Sequence, residues 1–435
     1  MIGTRRQVMT GFAAGLALAP FGTLRAAETP DAARVIHDWY RLVLELVRHT
    51  PTATPPMASR ALAIIGITAW ESLSPPGSRS LAGQVTDLTP PPARPPGLDD
   101  AAVMHAALSA CVSNCFANTG PTGQRAMTTM IDRLGARVHA TLSPEVMTAS
   151  AAHGQAVSAH IRAWAATDGG AVIPNMGFPE TWPVAEAASD WVPTSLVRMQ
   201  QAPLLPHWGE NRPFAMPAGI PCGLPPPPAY SEDPASAFYL EAKEVYDTTR
   251  ALTDEQRMIA RFWSDDPMLS TTPPGHWVSI AMQVLEAGNA PADRRAEVLA
   301  LVGITVADAF IACWQAKYQY DLLRPITYIK RVIDKTWEPL LITPPFPEYP
   351  SGHSTQSGAA ATVLTHLYGE NYPFSDNTVA GDDLPGRDFP DFWTAANDAG
   401  RSRLYGGIHF RAAIEQGLEQ GRCVAAHTLR LQMRA

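Results

Sequence analysis

Apolar residues recur at three- and four-residue spacing along most of this 435-residue chain, and this period constrains its fold more than any other feature. Residues 35–47 and the alanine-rich residues 57–73 follow it, which places their apolar side chains along one helical face. Alternating β-branched runs, which are typical of strands, are nearly absent. The sequence therefore predicts an all-α protein. Further helices are predicted at residues 101–117, 145–166, 235–252, 254–263, 277–286, 294–323, 355–368, 392–404 and 410–433.

Prolines interrupt this pattern in clumps, above all between about residues 171 and 234. No helix or strand tolerates that density, because proline has no amide hydrogen and its ring clashes with the preceding turn. We therefore predict a long ordered crossover there. It divides the chain into an N-terminal helical half with a Pro-rich connector, residues 28–234, and a C-terminal helical bundle, residues 235–435. The two helical bundles are expected to pack as one domain.

The N-terminus has the features of a twin-arginine signal peptide, residues 1–27. Arg5 and Arg6 precede an apolar run at residues 8–21, and a small-residue cleavage site follows at Ala26 and Ala27. The apolar run is short for a membrane span, although an uncleaved anchor is the alternative. The prediction is a bacterial protein that folds before export to the periplasm or beyond, with no membrane span in the mature chain.

Charge and cysteine content exclude several classes. The formal net charge of -8 argues against a nucleic-acid binder or a membrane-surface binder, since both need a basic face. The five cysteines are an odd number, so at least one is free or pairs between chains. Cys313 and Cys423 lie in apolar helical segments and are expected to be buried thiols.

Three segments of the C-terminal half carry the residues of a candidate anion site. In the first, Lys317 and Arg324 are seven residues apart, about 700° of helix, so one predicted helix would project both cations from the same face. Pro325 is expected to end that helix. In the second, Ser351, Gly352 and His353 follow a proline-rich loop and open an alanine-rich helix.

The start of a helix offers unpaired amide groups and a partial positive charge, so the second segment can cradle an oxyanion. The third segment contains Arg403 and His409, separated by the turn Gly406-Gly407. Arginine donates forked hydrogen bonds to an oxyanion, and a neutral histidine nitrogen can attack it or act as its ligand. Each segment alone is also typical of an ordinary surface, cap or helix joint.

Together the patterns K-x6-RP, PSGH and SR-x3-G-x-H resemble the signature shared by vanadium-dependent haloperoxidases, type 2 phosphatidic acid phosphatases and bacterial acid phosphatases. Three further stretches resemble the bacterial haloperoxidase branch: residues 191–194, 206–214 and 273–277. The resemblance implies a fold of two helical bundles, with the anion site in the C-terminal one.

The resemblance also implies a role for each residue of the site. His409 would be the ligand of vanadium, or the phosphorylated nucleophile of a phosphatase, and His353 would be the general acid–base. Lys317 would in addition polarise the peroxide. The residues that would hold the oxyanion, vanadate or phosphate, are Lys317, Arg324, Ser351, Gly352, Arg403 and His409.

Three features bear on the choice between the two chemistries. The chain is longer than a minimal acid phosphatase, and Trp314 and Phe346 match positions that line the halide side of chloroperoxidase-like enzymes. The acid phosphatase pattern places an Asp four residues after the histidine to orient it, and here that residue is Ala413, so His409 is expected to lack its usual partner. We therefore expect a haloperoxidase acting on hydrogen peroxide and a halide. A phosphomonoester hydrolase is the alternative, and a non-catalytic oxyanion binder is the third.

Other polar residues give weaker signals. His153 and His160 lie seven apart on a helix without an evident third ligand, and they are expected to be core or surface residues. Asp265 and Asp266 are a metal pair or a capping acid, of which the cap is preferred; a salt bridge to a site arginine is a further alternative. The sequence leaves open which halide and organic acceptor are used, and whether the protein forms a homodimer.

Overall fold

A computed structural model describes residues 29–183, 185–219, 221–380 and 384–435 of the chain. The predicted signal peptide lies outside the described residues. Within them the fold is mostly helical, which confirms the all-α prediction. The helices are α1 Ala32–His49, α2 Pro55–Ser72, α3 Asp100–Cys115, α4 Pro121–His139, α5 Pro144–Ala165, α6 Ala237–Arg250, α7 Asp254–Phe262, α8 Thr272–Ala287, α9 Ala292–Tyr320, α10 Pro325–Val332, α11 Gly352–Tyr368, α12 Phe392–Tyr405 and α13 Arg411–Thr428.

Local sequence explains where several helices begin. Asp31 and Asp99 cap α1 and α3 by accepting hydrogen bonds from the backbone amides of the first turn. Proline lies in the first turn of α2, α4, α5, α8 and α10, where its fixed φ suits a helix and its missing amide hydrogen costs nothing. One short antiparallel hairpin accompanies the described helices, β1 Phe374–Asp376 paired with β2 Arg387–Phe389.

Helix α9 runs through the centre of the molecule and joins its two halves. At Gly66 of α2, an added Cβ would lie 2.7 Å from the Cα of Ala300; at Gly303 of α9, an added Cβ would lie 3.0 Å from the Cα of Ala63. The two glycines therefore let α2 and α9 touch backbone to backbone. By length and composition α9 could cross a membrane, but the apolar window that meets this test is wholly buried in the fold.

The proline-rich stretch between α5 and α6 is the predicted crossover, and it is broken only by short 3-10 turns among its described residues. Two attachments tie it to the core. The buried carboxylate of Asp308 on α9 accepts hydrogen bonds of 2.6–2.8 Å from the amides of Phe214, Ala215 and Met216. A disulfide joins Cys222 to Cys423 on α13, so the prediction that Cys423 is only a buried thiol is wrong.

Two helices were not expected from the sequence. Helix α4 buries only Met127, Leu134, Gly135 and Val138, so its apolar signal is weak. Helix α10 is eight residues long, and Pro325 is its first residue rather than the end of the preceding helix. The prediction of one helix carrying both Lys317 and Arg324 is likewise wrong.

Candidate active site

A break in the helix places Arg324. Helix α9 ends at Tyr320 because Asp321 adopts a left-handed conformation with φ 42°. The connector holds the chain that follows: the amide of Leu323 donates to the oxygen of Ser189 at 2.8 Å, and that of Trp191 donates to the oxygen of Asp321 at 2.7 Å. Lys317 and Arg324 are therefore brought together by the turn and the connector, not by helical periodicity.

Arg324 is fully buried and reaches across to His409. Its Nε donates to the oxygen of Phe346 at 2.8 Å and its Nη1 to the oxygen of Ile408 at 3.0 Å. Nη1 also lies 3.2 Å from Nε2 of His409. Its remaining nitrogen, Nη2, is buried without a hydrogen-bond partner in the described part of the chain. A buried arginine nitrogen with nothing to donate to is poised for an anion.

Lys317 is also fully buried, and the proline-rich loop before Ser351 holds its ammonium group. Nζ donates to the backbone oxygens of Pro347, Glu348 and Pro350 at 2.8, 3.0 and 2.5 Å. Burial lowers its pKa to about 7. All three of its hydrogens are used, so Lys317 supplies charge from a fixed position and would have to release a carbonyl to donate to an anion.

Ser351 caps α11 and places the predicted oxyanion cradle at the start of that helix. Its amide donates to the backbone oxygen of Ala413 at 3.0 Å, and its side-chain oxygen accepts from the amide of Ser354 at 3.3 Å. The hydroxyl hydrogen is thus left to donate elsewhere. Gly352 is the first residue of α11, and the ring of Trp314 lies beside it, 3.6 Å from where a Cβ would be.

Arg403 lies near the end of α12 and is buried. Its Nε donates to the hydroxyl oxygen of Ser402 at 2.8 Å, and its Nη2 donates to the backbone oxygen of Trp263. Burial lowers the pKa of Arg403 to about 10, while the carboxylates of Asp265 and Asp266 oppose this effect. Arg403 therefore brings a third buried cation to the site.

His409 has a carboxylate partner, contrary to the expectation based on Ala413. Nδ1 of His409 donates to Oε1 of Glu348 at 2.8 Å, and the same oxygen accepts from the amide of Phe410 at 2.8 Å. Burial, followed by the charges of Arg324 and Lys317, lowers the pKa of His409 well below its ordinary value. The ring is therefore neutral, and its hydrogen lies on Nδ1 because Nη1 of Arg324 donates to Nε2 at 3.2 Å. A ligand or an electrophile would take the Nε2 lone pair from that arginine.

His353 lies in the first turn of α11 and is partly exposed, as a group that exchanges protons requires. Its Nε2 is 3.4 Å from Oδ2 of Asp265. Burial and the charge of Arg403 lower the pKa of His353 to about 4, although Asp265 opposes them. Asp265 is thus part of the site, and the preferred prediction that it is a capping acid is wrong.

Trp314 and Phe346 form one aromatic wall, with ring centroids 4.9 Å apart. Nζ of Lys317 lies 5.1 Å from the Phe346 centroid, and Cζ of Arg324 lies 4.9 Å from it. Both distances are within cation–π range. The indole N–H of Trp314 donates to the oxygen of Leu204 at 3.2 Å, so the connector fixes this wall as well.

The described side chains of the three predicted segments therefore converge, and the fold that carries them is similar to known structures. The structure of the first bacterial vanadium-dependent iodoperoxidase is 34% identical in sequence; the match covers 93% of this chain and 97% of that one, with a TM-score of 0.83. The chain belongs to the vanadium-dependent haloperoxidase family. A family model described as the VCPO second helical-bundle domain matches residues 297–435.

The haloperoxidase fold extends to more distant members. The holo-type bacterial vanadium-dependent chloroperoxidase is 15% identical and has a TM-score of 0.66, covering 88% of this chain and 92% of that one. The apo-type structure is 14% identical, again with a TM-score of 0.66, and covers 89% and 96%. At these identities the likeness concerns the fold alone. No match was found among curated proteins.

The donor set fits an oxyanion such as the vanadate of this haloperoxidase family. Three buried cations, Lys317, Arg324 and Arg403, surround a neutral His409, and burial lowers the pKa of each cation. Among the described residues the carboxyl group that contacts His409 is Glu348, whose pKa burial raises to about 8, against the pull of Arg324 and Lys317. Excess buried positive charge of this kind is stabilised when an anion binds.

Glu348 was not identified from the sequence as a residue of this haloperoxidase site, and Asp265 was named with a capping role preferred. Glu348 lies inside the proline-rich loop already singled out, and a glutamate between prolines three residues before Ser351 could have been noticed. Its partner His409 is 61 residues away, which no local pattern reveals. Neither His153 nor His160 contacts the site; His160 Nε2 lies 2.9 Å from the oxygen of Thr89 instead.

Proposed function

We propose that the chain is a vanadate-dependent haloperoxidase that uses hydrogen peroxide to oxidise a halide to hypohalous acid. The observation that carries this proposal is the unpartnered, buried Nη2 of Arg324 beside Nε2 of His409, which accepts from Nη1 of the same arginine. The remaining members of the oxyanion-binding set are Lys317, Ser351, Gly352 and Arg403. When bound there, vanadate supplies a Lewis-acidic centre at which peroxide becomes a stronger oxidant.

The protein's own residues would then position and move protons. Glu348 holds the ring of His409 in one tautomer, with Nε2 as the ligand atom. His353 is neutral at pH 7, so it can accept a proton from hydrogen peroxide and return one to a leaving oxygen. Trp314 and Phe346 provide an apolar, polarisable wall on which a halide can approach the cations.

Iodide is the halide that we propose first. The solved structure with 34% identity is an iodoperoxidase, and iodide is the easiest of the three common halides to oxidise. The aromatic wall is compatible with this choice because a large anion needs fewer directed hydrogen bonds than a small one. The indole N–H of Trp314 is already donated to Leu204 and offers the halide none.

One experiment separates the possible activities. The processed protein is incubated with orthovanadate, and iodide, bromide and chloride oxidation is followed with hydrogen peroxide. Aryl-phosphate hydrolysis is measured in parallel without vanadate. His409→Ala should abolish the activity that is found, whereas His207→Ala, which changes a histidine paired with Glu210 at the surface, should leave it unchanged.

The outcomes are distinct. Vanadate-dependent iodide oxidation that is lost in His409→Ala supports the proposal. Hydrolysis of the aryl phosphate without halide oxidation would replace it with the phosphohydrolase alternative. Tight vanadate binding without either activity would indicate a non-catalytic binder, and full activity in His409→Ala would refute the site.

We also propose export by the twin-arginine route to the periplasm or beyond. The paired Arg5-Arg6 motif supports this, and so does the disulfide Cys222–Cys423, since disulfides persist in oxidising compartments. N-terminal sequencing of the cell-envelope fraction should find a chain that begins near residue 28. Retention in the cytoplasm, or an Arg5→Lys, Arg6→Lys variant exported as well as the original, would contradict this proposal.

A further inference from the structure

A buried histidine beyond the anion site links two carboxylates that are distant in sequence. His276 on α8 is fully buried. Its Nδ1 lies 2.8 Å from Oδ1 of Asp265, in the segment after α7. Its Nε2 lies 2.8 Å from Oδ2 of Asp376, the last residue of β1. Among the described residues, no other histidine has a carboxylate on each ring nitrogen at this distance.

Hydrogen-bond stoichiometry determines the state of this group. A neutral imidazole has one N–H and one acceptor nitrogen, whereas an ionised carboxylate only accepts, so two ionised partners require hydrogens on both ring nitrogens. If one carboxyl group kept the proton instead, the total charge would be unchanged, but the proton would sit on the weaker base. His276 is therefore an imidazolium between two carboxylates, and the three groups carry a net charge of -1.

The groups around His276 support this state. The charged groups in contact with its ring are Asp265 and Asp376, and the titratable His353 lies beyond Asp265. The other packed neighbours, Phe262 at the end of α7 and Trp263 after it, are uncharged. The indole of Trp263 stacks on the imidazole with a centroid distance of 4.4 Å. Burial lowers the pKa of His276, but the two carboxylates outweigh it and raise the pKa to about 10.

The arrangement leads to His353. Oδ1 of Asp265 is occupied by His276, while Oδ2 is buried without a hydrogen-bond partner in the described chain and lies 3.4 Å from Nε2 of His353, which also has none. Asp376 is anchored at the far end by the amide of Thr378 at 2.9 Å. Asp376 thus holds His276, and His276 fixes the direction of the Asp265 carboxylate, which in turn faces His353.

We propose that His276 is a positioning residue for the haloperoxidase reaction, clamping Asp265 against Asp376 so that the second oxygen of Asp265 orients the ring of His353. This inference rests on the proposed function. Without the clamp, Asp265 would be a buried carboxylate with no compensating cation in contact, and it would turn or take up a proton. His353 would then lose its fixed tautomer while the anion-binding residues stay in place.

The test compares His276→Gln with the wild type and with His105→Gln. The control changes another buried histidine, His105 on α3, which contacts Trp39 and Ile131 and no residue named as part of the site. His276→Gln should lower kcat by about 10- to 100-fold, the range seen when outer-shell partners are removed, while the Kd for vanadate measured by titration calorimetry stays within about threefold. Asp265→Asn combined with His276→Gln should be no slower than Asp265→Asn alone.

Two further measurements keep the proposal open to refutation. Asp376→Asn preserves the shape of the cluster but removes one anion, so His276 should lose its proton at a lower pH and kcat should fall on the alkaline side sooner than in the wild type. Ring ¹⁵N NMR at pH 8, with the His276 signal assigned by its loss in His276→Gln, should show hydrogens on both ring nitrogens. This spectrum does not depend on catalysis.

Each contrary result has a defined meaning. A neutral His276 ring at pH 8, or an Asp376→Asn pH profile identical to the wild type, would overturn the clamp. Equal losses of kcat, vanadate affinity and melting temperature in His276→Gln would reduce His276 to a structural residue. An inactive wild-type protein refutes the proposed function, and the ring spectrum then decides the clamp separately.

Discussion

Glu348 connects the loop that holds Lys317 with the histidine on which the site depends. Its backbone oxygen accepts from Lys317, its amide donates to the oxygen of Leu322 at 2.9 Å, and its carboxylate accepts from Nδ1 of His409. One residue therefore joins the break after α9, the proline-rich loop and the start of the last helix. Glu348 thus supplies the carboxylate that position 413 lacks.

Removing the Glu348 carboxylate should weaken the hold on vanadate. Glu348→Ala leaves Nδ1 of His409 and the amide of Phe410 without an acceptor, so vanadate affinity should fall about 10- to 100-fold, as for other outer-shell partners. Titration calorimetry measures the Kd directly. Glu415→Ala, which removes an exposed partner of Arg411, is the matched control and should leave Kd unchanged.

A second substitution tests whether position 413 can supply the carboxylate in place of Glu348. Ala413 lies four residues after His409, in the first turn of α13, and is fully buried. Ala413→Asp added to Glu348→Ala should recover part of the vanadate affinity, because it places a carboxylate four residues after His409, where the acid phosphatase pattern carries one. If Glu348→Ala alone binds vanadate as tightly as the wild type, the contact with His409 has no role in affinity.

At this scale the sequence was sufficient to single out the residues that the structure brings together, because each stands in a short pattern whose chemistry is local. It did not predict their partners. Glu348 and Asp265 acquire their roles from contacts with His409 and His353 that are 61 and 88 positions away, and no spacing rule reports such contacts. For the same reason, the alanine at position 413 suggested that His409 has no carboxylate partner, whereas Glu348 supplies one.

Among the elements, the connector matters more than its lack of regular structure suggests. It fixes the turn that carries Arg324, contacts the aromatic wall through Leu204, and is itself held by Asp308. Its ordered course and proline density were predictable. Its attachments were not, because amide-to-carboxylate contacts leave no periodic trace in a sequence.

Asp308 should be one of the most sensitive positions of the scaffold. Asp308→Asn offers one acceptor and an amide group to three backbone N–H groups, so at least one donor is left unpaired. Unfolding by guanidinium should show a loss of about 2–4 kcal/mol, the cost of an unsatisfied buried group in a charged network. Asp247→Asn, an exposed change that breaks only the Lys243 pair, should cost much less.

The same residue gives the protein a specific pH dependence. Burial raises the pKa of Asp308 to about 6, although the three amides oppose the shift. The folded state thus holds this proton more tightly than the unfolded state does, so the stability contributed by the protonated group is lost as pH rises from about 4 through about 6. Asp308→Asn should lack this slope in a series of melting temperatures, and a slope equal to that of the wild type would assign it to other groups.

For the helices, amphipathic periodicity was sufficient to predict those that bury a face, but it did not predict a mostly exposed helix or the residue at which a helix ends. Helix α4 is mostly exposed, and the left-handed Asp321 that ends α9 is not a glycine, so neither was apparent from the sequence. Because Asp321 ends α9 before Arg324, the turn and the connector bring Lys317 and Arg324 together, and helical periodicity does not. The prediction that the two residues lie together is unaffected.

For the whole molecule, the disulfide Cys222–Cys423 closes a loop of 201 residues and ties the connector to the last helix. Cross-linking restricts the unfolded chain most when the loop is long, so reduction should lower the free energy of unfolding by about 2–5 kcal/mol. Urea unfolding with and without dithiothreitol measures this difference. A Cys222→Ser, Cys423→Ser variant should not respond to the reductant, and a response in that variant would point to another thiol.

Helix α9 also bears on the proposed export route. Its 29 residues extend about 43 Å, and about 20 apolar residues are enough to span the hydrocarbon layer. A chain threaded through a membrane before folding would offer this segment to the lipid as a stop signal. In the folded protein the apolar window of this helix is wholly buried, so the proposed transport of the folded chain would keep the helix that carries Lys317 away from the lipid.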